Sequence, residues 1–208
     1  MIVAVLSATV LPGVARAEDA AVSAPVIVVL GDSLSAGYGI DVDLSWTALL
    51  QARLAEQGYE HRVVNASISG ETTEGGVTRI GDIVERLEPA VVVVELGGND
   101  GLRGFPPSTT RDNLNRIIET ARSAGASVAL LGIRIPPNYG PRYIKAFEGT
   151  FRDVATANDV PWIEFFMDGI ALDADLMQAD GIHPNAEAQP LLLDNAWPVI
   201  EKALENNH

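Results

Sequence analysis

The sequence predicts an α/β fold, a doubly wound parallel sheet in one domain, and three observations carry that prediction. Segments with strand and helix patterns alternate five times along the chain. The clearest strands, residues 26–30 (VIVVL) and 90–96 (AVVVVEL), are apolar runs without polar alternation, the mark of strands covered on both faces. No internal repeat or low-complexity linker divides the 208 residues, a length that suits a single domain with a sizeable core.

Residues 1–14 are almost wholly apolar, and 15–17 (ARA) carry the small-x-small pattern of a cleavage site. Residues 1–17 therefore read as a signal peptide and 18–24 as a short mature arm ahead of the domain at 25–208. The competing reading is an apolar arm of the folded chain, since no Lys or Arg precedes Arg16. Fourteen apolar residues fall short of the roughly 20 that a membrane span takes, so no stable membrane insertion is expected.

The strand at 26–30 runs into residues 31–39 (GDSLSAGYG), at the carboxyl end where open α/β sheets hold their ligands. Gly31 permits a tight turn, and Ser35, Ala36, Gly37 and Gly39 leave room beside the Ser33 hydroxyl. Ser33 reads either as a nucleophile or as a helix cap. The Gly-x-Ser-x-Gly elbow of the α/β-hydrolases is not met, because Ser35 stands where glycine is required. A phosphate-binding P-loop is also absent, since no glycine is followed by lysine.

Ser45 caps a helix to about Gln57, with Trp46, Leu49, Leu50, Arg53 and Leu54 at spacings of three and four and Gly58 as its stop. Residues 61–65 (HRVVN) form a short strand that releases the loop 66–73 (ASISGETT). Gly70 in that loop either lets the backbone approach a ligand closely or is an ordinary turn glycine. Val77, Ile80, Val84 and Leu87 stripe the next helix, closed by Pro89. The strand at 90–96 leads into a glycine-rich loop, 97–101 (GGNDG), from which the Asn99 amide could be aimed upward or fold into an Asx-turn. Glu95, inside an apolar run, reads as a hydrogen-bond partner for nearby backbone, because burying a free charge is costly.

Residues 105–107 (FPP) break the chain, and Ser108 or Thr109 caps a helix whose face is Leu114, Ile117, Ile118 and Ala121, ending at Gly125. A fourth strand follows at 127–133. The loop after it, 134–140 (RIPPNYG), is either an acyl-pocket wall or a plain connector. A helix over 141–158 and a short strand around 161–164 come next, with Phe165, Phe166 and Met167 as core, the favoured reading, or pocket wall. Residues 180–185 (DGIHPN) precede a last helix from about Ala186, which Pro198 should kink or split.

Composition narrows the function. With 14 Lys and Arg against 28 Asp and Glu, the formal charge is -14, so nucleic acid and anionic lipid surfaces are repelled on average. The absence of cysteine removes disulfides, thiolate metal sites and a cysteine nucleophile. Of three histidines, His61 lies on a strand and His208 is terminal, leaving His183 as the one plausible general base. Asp180, three residues earlier on a glycine-containing turn, can fold back to accept the Nδ1 proton and free Nε2 for a serine. An Asp-x-x-His pair could also ligate a metal, but without cysteine or a third clustered histidine a zinc site is poorly supplied. Oxyanion donors would come from the Ser33 and Gly70 N–H groups and the Asn99 amide. Asp32 and Asp100 read as loop braces rather than as the acid partner of the histidine. A non-catalytic protein that holds a small polar ligand at the same sheet edge is the reading from another class.

GDSLSAGYG, NASISGETT, VELGGNDGLRGF, RIPPNYGPRY and DGIHPN occur here in the order found in the SGNH, or GDSL-type, hydrolases. The sequence resembles the periplasmic branch of that family that contains thioesterase I, lysophospholipase L1 and arylesterase, over about residues 26–204. The resemblance implies a flavodoxin-like five-stranded sheet of order 2-1-3-4-5, with Ser33 as nucleophile, His183 as base and Asp180 as its orienting acid. It implies Ser33, Gly70 and Asn99 as oxyanion donors, and hydrolysis of small acyl esters and thioesters by a monomeric enzyme without metal or organic cofactor. It places the acyl site near Leu102, Ile135, Pro136 and Tyr139, and the mature protein in the periplasm or outside the cell. Related enzymes deacetylate sugars, so a carbohydrate acetylesterase is the alternative within the family.

Overall fold

The structure is a computed structural model that describes residues 24–207. The expected signal peptide at 1–17 and nearly all of the arm at 18–24 lie outside the described residues. Five strands form one parallel sheet: β1 (Val26–Gly31), β2 (Arg62–Asn65), β3 (Val91–Glu95), β4 (Ser127–Leu131) and β5 (Trp162–Ile163). Their order is β2-β1-β3-β4-β5, as expected. Among the described residues seven α-helices accompany them: α1 (Ser33–Ala36), α2 (Trp46–Glu56), α3 (Thr73–Leu87), α4 (Gly98–Leu102), α5 (Pro107–Ser123), α6 (Pro141–Asn158) and α7 (Gln189–Glu205).

The apolar strands are buried on both faces because successive side chains point to opposite sides. Val26, Val28 and Leu30 of β1, with Val92 and Val94 of β3, meet Ile80, Leu114, Ile117, Phe147 and Phe151 of α3, α5 and α6. Ile27 and Val29, with Val91 and Val93, meet Trp46, Leu50 and Leu54 of α2 and Leu192, Ala196 and Ile200 of α7. Strands β1 and β3 pair in the middle, Gly31 opposite Glu95, so both carboxyl ends open at one place on the rim. The gap between them is the topological switch point of the sheet.

Four local expectations are corrected. Pro106 takes the cap position of α5 and Pro107 its first turn, where a missing N–H loses nothing; Ser108 and Thr109 lie inside the helix. Residues 98–102 form the short helix α4 rather than a loop, entered through Gly97 at φ 124°. Helix α7 starts at Gln189, after a turn held by the Asn185 Oδ1, which accepts from the Ala188 N–H at 3.2 Å. Pro198 does not split it, because Leu193, Ala196, Val199 and Ile200 pin both halves to one sheet face. Among the described residues no helix is long and apolar enough to cross a membrane.

Candidate active site

Ser33 stands at the start of α1, directly beyond β1. Asp32, not Ser33, is the helix cap: its Oδ1 accepts the Leu34 N–H at 3.1 Å, and Gly37 closes the turn in the left-handed region at φ 73°. Ser33 is thereby half-buried with its hydroxyl free of capping duty.

The histidine comes from the loop before α7, 150 residues away. His183 Nε2 lies 2.9 Å from Ser33 Oγ, and Nδ1 lies 2.6 Å from Asp180 Oδ2. The other Asp180 oxygen accepts the N–H groups of Ile182 at 2.9 Å and His183 at 3.0 Å. The His183 N–H, then its ring and the Ile182 N–H, hold the Asp180 carboxyl down at about 2. An ionised Asp180 fixes the Nδ1–H tautomer and presents Nε2 as the acceptor for the serine proton.

The loop that carries this pair is strapped from outside. Met177 pairs with Pro184 in an antiparallel bridge, and the Gln178 N–H donates to the His183 carbonyl at 2.7 Å. Gln178 Nε2 donates to the carbonyls of Tyr38, at 2.7 Å, and Pro184, at 3.0 Å, so one side chain joins the histidine loop to the serine loop. The Tyr38 ring covers His183 with centroids 4.4 Å apart. Gln178 and Tyr38 escaped the sequence reading; the aromatic inside GDSLSAGYG was the one available signal for the second.

The expected oxyanion residues come together around Asn99. Its Nδ2 donates to Asp32 Oδ2 at 3.0 Å and to the Glu71 carbonyl at 2.9 Å, and so lies between the residue before Ser33 and the residue after Gly70. Gly70 is exposed, at φ 80°, with its carbonyl accepting from Arg103 at 2.9 Å. Among the described residues neither the Ser33 nor the Gly70 N–H is spent on another carbonyl or side chain. Asp100 braces the neighbouring helix, accepting from the Thr73 N–H at 2.9 Å, the Thr73 hydroxyl and, at 3.3 Å, the Thr110 hydroxyl.

Two carboxyl groups lie beneath the serine turn. Burial pushes Asp32 up to about 6, opposed by the hydrogen bonds from Leu34 and Asn99. Burial, reinforced by Asp32, pushes Glu95 well above the carboxylate range. Glu95 accepts the Asp32 N–H at 3.3 Å, the backbone partner that its place in an apolar run implied, and also the Ser35 hydroxyl at 2.6 Å.

Of the expected acyl-site residues, Leu102 ends α4 and Tyr139 and Ile135 lie against it. The Tyr139 hydroxyl donates to the Leu102 carbonyl at 2.7 Å. Ile135 is part of the core, close against Gly101, and Pro136 is exposed. An apolar hollow of about 460 Å³ opens here between Pro107, Tyr139, Pro141, Tyr143 and Ala146; of the four expected residues only Tyr139 lines it. Among the described residues no group of three or more His, Cys, Asp or Glu is placed to hold a metal.

A doubly wound sheet with a hydroxyl, an imidazole and a carboxylate in hydrogen-bond sequence at its carboxyl edge is a layout able to hydrolyse acyl groups. The chain belongs to the GDSL-like lipase/acylhydrolase family, which matches residues 29–190, and is a carboxylic ester or thioester hydrolase. It is 50% identical to Esterase TesA of Pseudomonas aeruginosa over 182 residues, 88% of this chain and 90% of that protein. It is 44% identical to Thioesterase 1/protease 1/lysophospholipase L1 of Escherichia coli over 174 residues, 84% of this chain and 82% of that one. The solved structure of the psychrotrophic esterase EstA from Pseudoalteromonas sp., inhibited by monoethylphosphonate, superposes with a TM-score of 0.82 at 43% identity, covering 86% of this chain and 98% of that one.

Proposed function

We propose that the protein is a serine esterase that cleaves small acyl esters and acyl thioesters through a Ser33–His183–Asp180 triad and an acyl-enzyme. The observation that carries the reading is the unbroken relay from Ser33 Oγ to His183 Nε2, 2.9 Å, and from Nδ1 to Asp180, 2.6 Å. In the first half-reaction His183 Nε2 takes the Ser33 proton as Oγ attacks the acyl carbonyl. The oxyanion that forms meets the Ser33 and Gly70 N–H groups and the Asn99 amide. Collapse breaks the bond to the leaving oxygen or sulfur, which takes the proton from Nε2. Water then enters, gives a proton to His183 and attacks the acyl carbon; the acid departs and the proton returns to Ser33. Asp180 stays ionised throughout.

The breadth of scope is supported by the relatives, one called an esterase and one a thioesterase and lysophospholipase. The acyl chain is assigned to the side of Leu102, Ile135, Pro136 and Tyr139. Residues 1–17 are assigned as a leader for export, with 25–208 as one domain acting in the periplasm or outside the cell as a monomer.

Exposure to p-nitrophenyl butyrate and to an alkyl phosphonate tests the reading. A burst of product and a phosphonyl adduct on Ser33 are expected, with turnover lost by roughly 10⁶-fold in Ser33→Ala, as when a triad nucleophile is removed. Neither product nor adduct would mark a binding protein. Faster cleavage of acetylated sugars than of medium-chain acyl esters, acyl-CoA or lysophospholipid would mark the acetylesterase instead.

A further inference from the structure

Asn99 is the one expected oxyanion donor whose hydrogens are both spent at rest, on Asp32 Oδ2 and on the Glu71 carbonyl. The two bonds differ in kind. The Glu71 carbonyl is a neutral acceptor on the loop that carries Gly70. Asp32 is a carboxyl 2% exposed and immobilised at every polar atom: Oδ1 by the Leu34 N–H, Oδ2 by Asn99, its own N–H by Glu95. Glu95 is fully buried at the end of β3, accepts the Ser35 hydroxyl at 2.6 Å, and leaves Oε1 without a partner. Gly31 leaves no slack, since a Cβ there would lie 2.7 Å from Ser35 Oγ and 2.8 Å from Glu95 Oε2. The shortest polar route from the serine turn to Asn99 therefore runs through buried side chains that cannot relax independently.

We propose that Asp32 is a positioning residue of the reaction: it pins one hydrogen of the Asn99 amide, so that the other turns from the Glu71 carbonyl to the oxyanion, while Glu95 and Ser35 hold Asp32 from below. The inference rests on the reading of Asn99 as an oxyanion donor. The charged and titratable groups that face Asp32 are Glu95 from β3, Asp100 from α4 and His183 from the loop before α7. A buried acceptor that aims an amide at a transient anion does not touch the bound substrate and acts in the transition state. Its removal lowers kcat and leaves KM nearly unchanged.

Asp32→Asn is the test. It keeps the shape and the bond from Leu34 but presents an NH₂ group to the Asn99 NH₂ group, two donors face to face. The expected kcat is roughly 10- to 100-fold down, short of the ~10²–10³ typical for loss of a donor itself. KM stays within about twofold. The decisive reading is a cycle with Asn99→Ala: the double variant is expected to match Asn99→Ala alone, because Asp32 has nothing left to aim. Additive losses would overturn the inference while leaving Asn99 its role. An Asn99→Ala variant with undiminished kcat would instead overturn the oxyanion reading. Should Asp32→Asn not fold, the Asn99 side-chain amide signals in His183→Ala protein serve in its place. They are expected to shift together with the Asp32 carboxyl carbon signal as that carboxyl titrates, and Asn99 signals that stay flat through that titration would overturn the inference.

Discussion

The two halves of the site are built by opposite means. The nucleophile half stands on the buried ends of β1 and β3, with Asp32 and Glu95 almost wholly out of water and glycine backbone packed against both. The base half is a surface loop: the Asp180 side chain is 39% exposed, Ile182 is exposed, and two backbone N–H bonds with one glutamine strap do the positioning. Burial moves the carboxyls of the first half up, whereas local donors move Asp180 down. A buried carboxyl near a nucleophile is a rigid but costly support, while an exposed one is a cheap means of fixing a tautomer. Substitutions of the supporting groups in the first half should therefore cost stability as well as turnover, and those in the second chiefly turnover.

Asp180→Asn breaks the comparison most directly. Asn keeps an oxygen for the Ile182 and His183 N–H groups but turns an NH₂ toward the ring, which reverses the tautomer of His183. A loss in kcat of roughly 10³–10⁴ is expected, the scale seen when a triad aspartate is amidated. The melting temperature should fall only slightly, since the side chain is 39% exposed and water screens much of what its bonds contribute. A protein that keeps a tenth of its activity, or that loses its stability with its turnover, would remove Asp180 from the relay.

The pH dependence of stability sharpens the contrast by its sign. Asp32 has a folded value of about 6 against an ordinary 3.8, so its contribution is complete below 3.8 and is lost as pH rises through about 6. Asp180 has the reverse sign: its contribution is present above 3.8 and is lost as pH falls through about 2. Urea unfolding of wild type and Asp32→Asn isolates the first effect. Between about pH 4 and about pH 7 the wild type should lose on the order of 2 kcal/mol relative to the variant. A difference that does not change with pH would mean that the hydrogen bonds from Leu34 and Asn99 fully offset the burial of Asp32.

What could be read beforehand divides along the same line. Parallel strands announce themselves because both faces are covered, so β1 and β3 stand out as valine and isoleucine runs; β5, with two paired residues, hardly differs from a loop. Asp180 and His183 were legible because three residues on a glycine turn suffice to close the contact. Their meeting with Ser33 spans 150 residues and no spacing announces it; elimination among three histidines suggests it and the family resemblance implies it. The buried pair was half legible: Glu95 was conspicuous among valines, but its partner Ser35 lies 60 residues away and belongs to another strand's turn. Helix α4 was hidden by its glycines, which favour a loop in isolation and become helical once Asp100 is tied to Thr73 and Thr110.

One substitution made in both halves gives the smallest effects and the cleanest comparison. In Gly31→Ala the new methyl would sit 2.7 Å from Ser35 Oγ and 2.8 Å from Glu95 Oε2, both buried and hydrogen-bonded to each other. Overpacking of that kind costs about 1–3 kcal/mol. In Gly181→Ala the methyl meets nothing within 4 Å, and the only cost is a left-handed φ of 66°, about 1 kcal/mol. Urea midpoints should place Gly31→Ala below Gly181→Ala. Turnover should fall more in Gly31→Ala as well, because the displaced Ser35 and Glu95 support the turn that presents Ser33. Equal losses at the two positions would mean that the serine turn yields as readily as the surface loop, and the rigid half of the site would be rigid in appearance only.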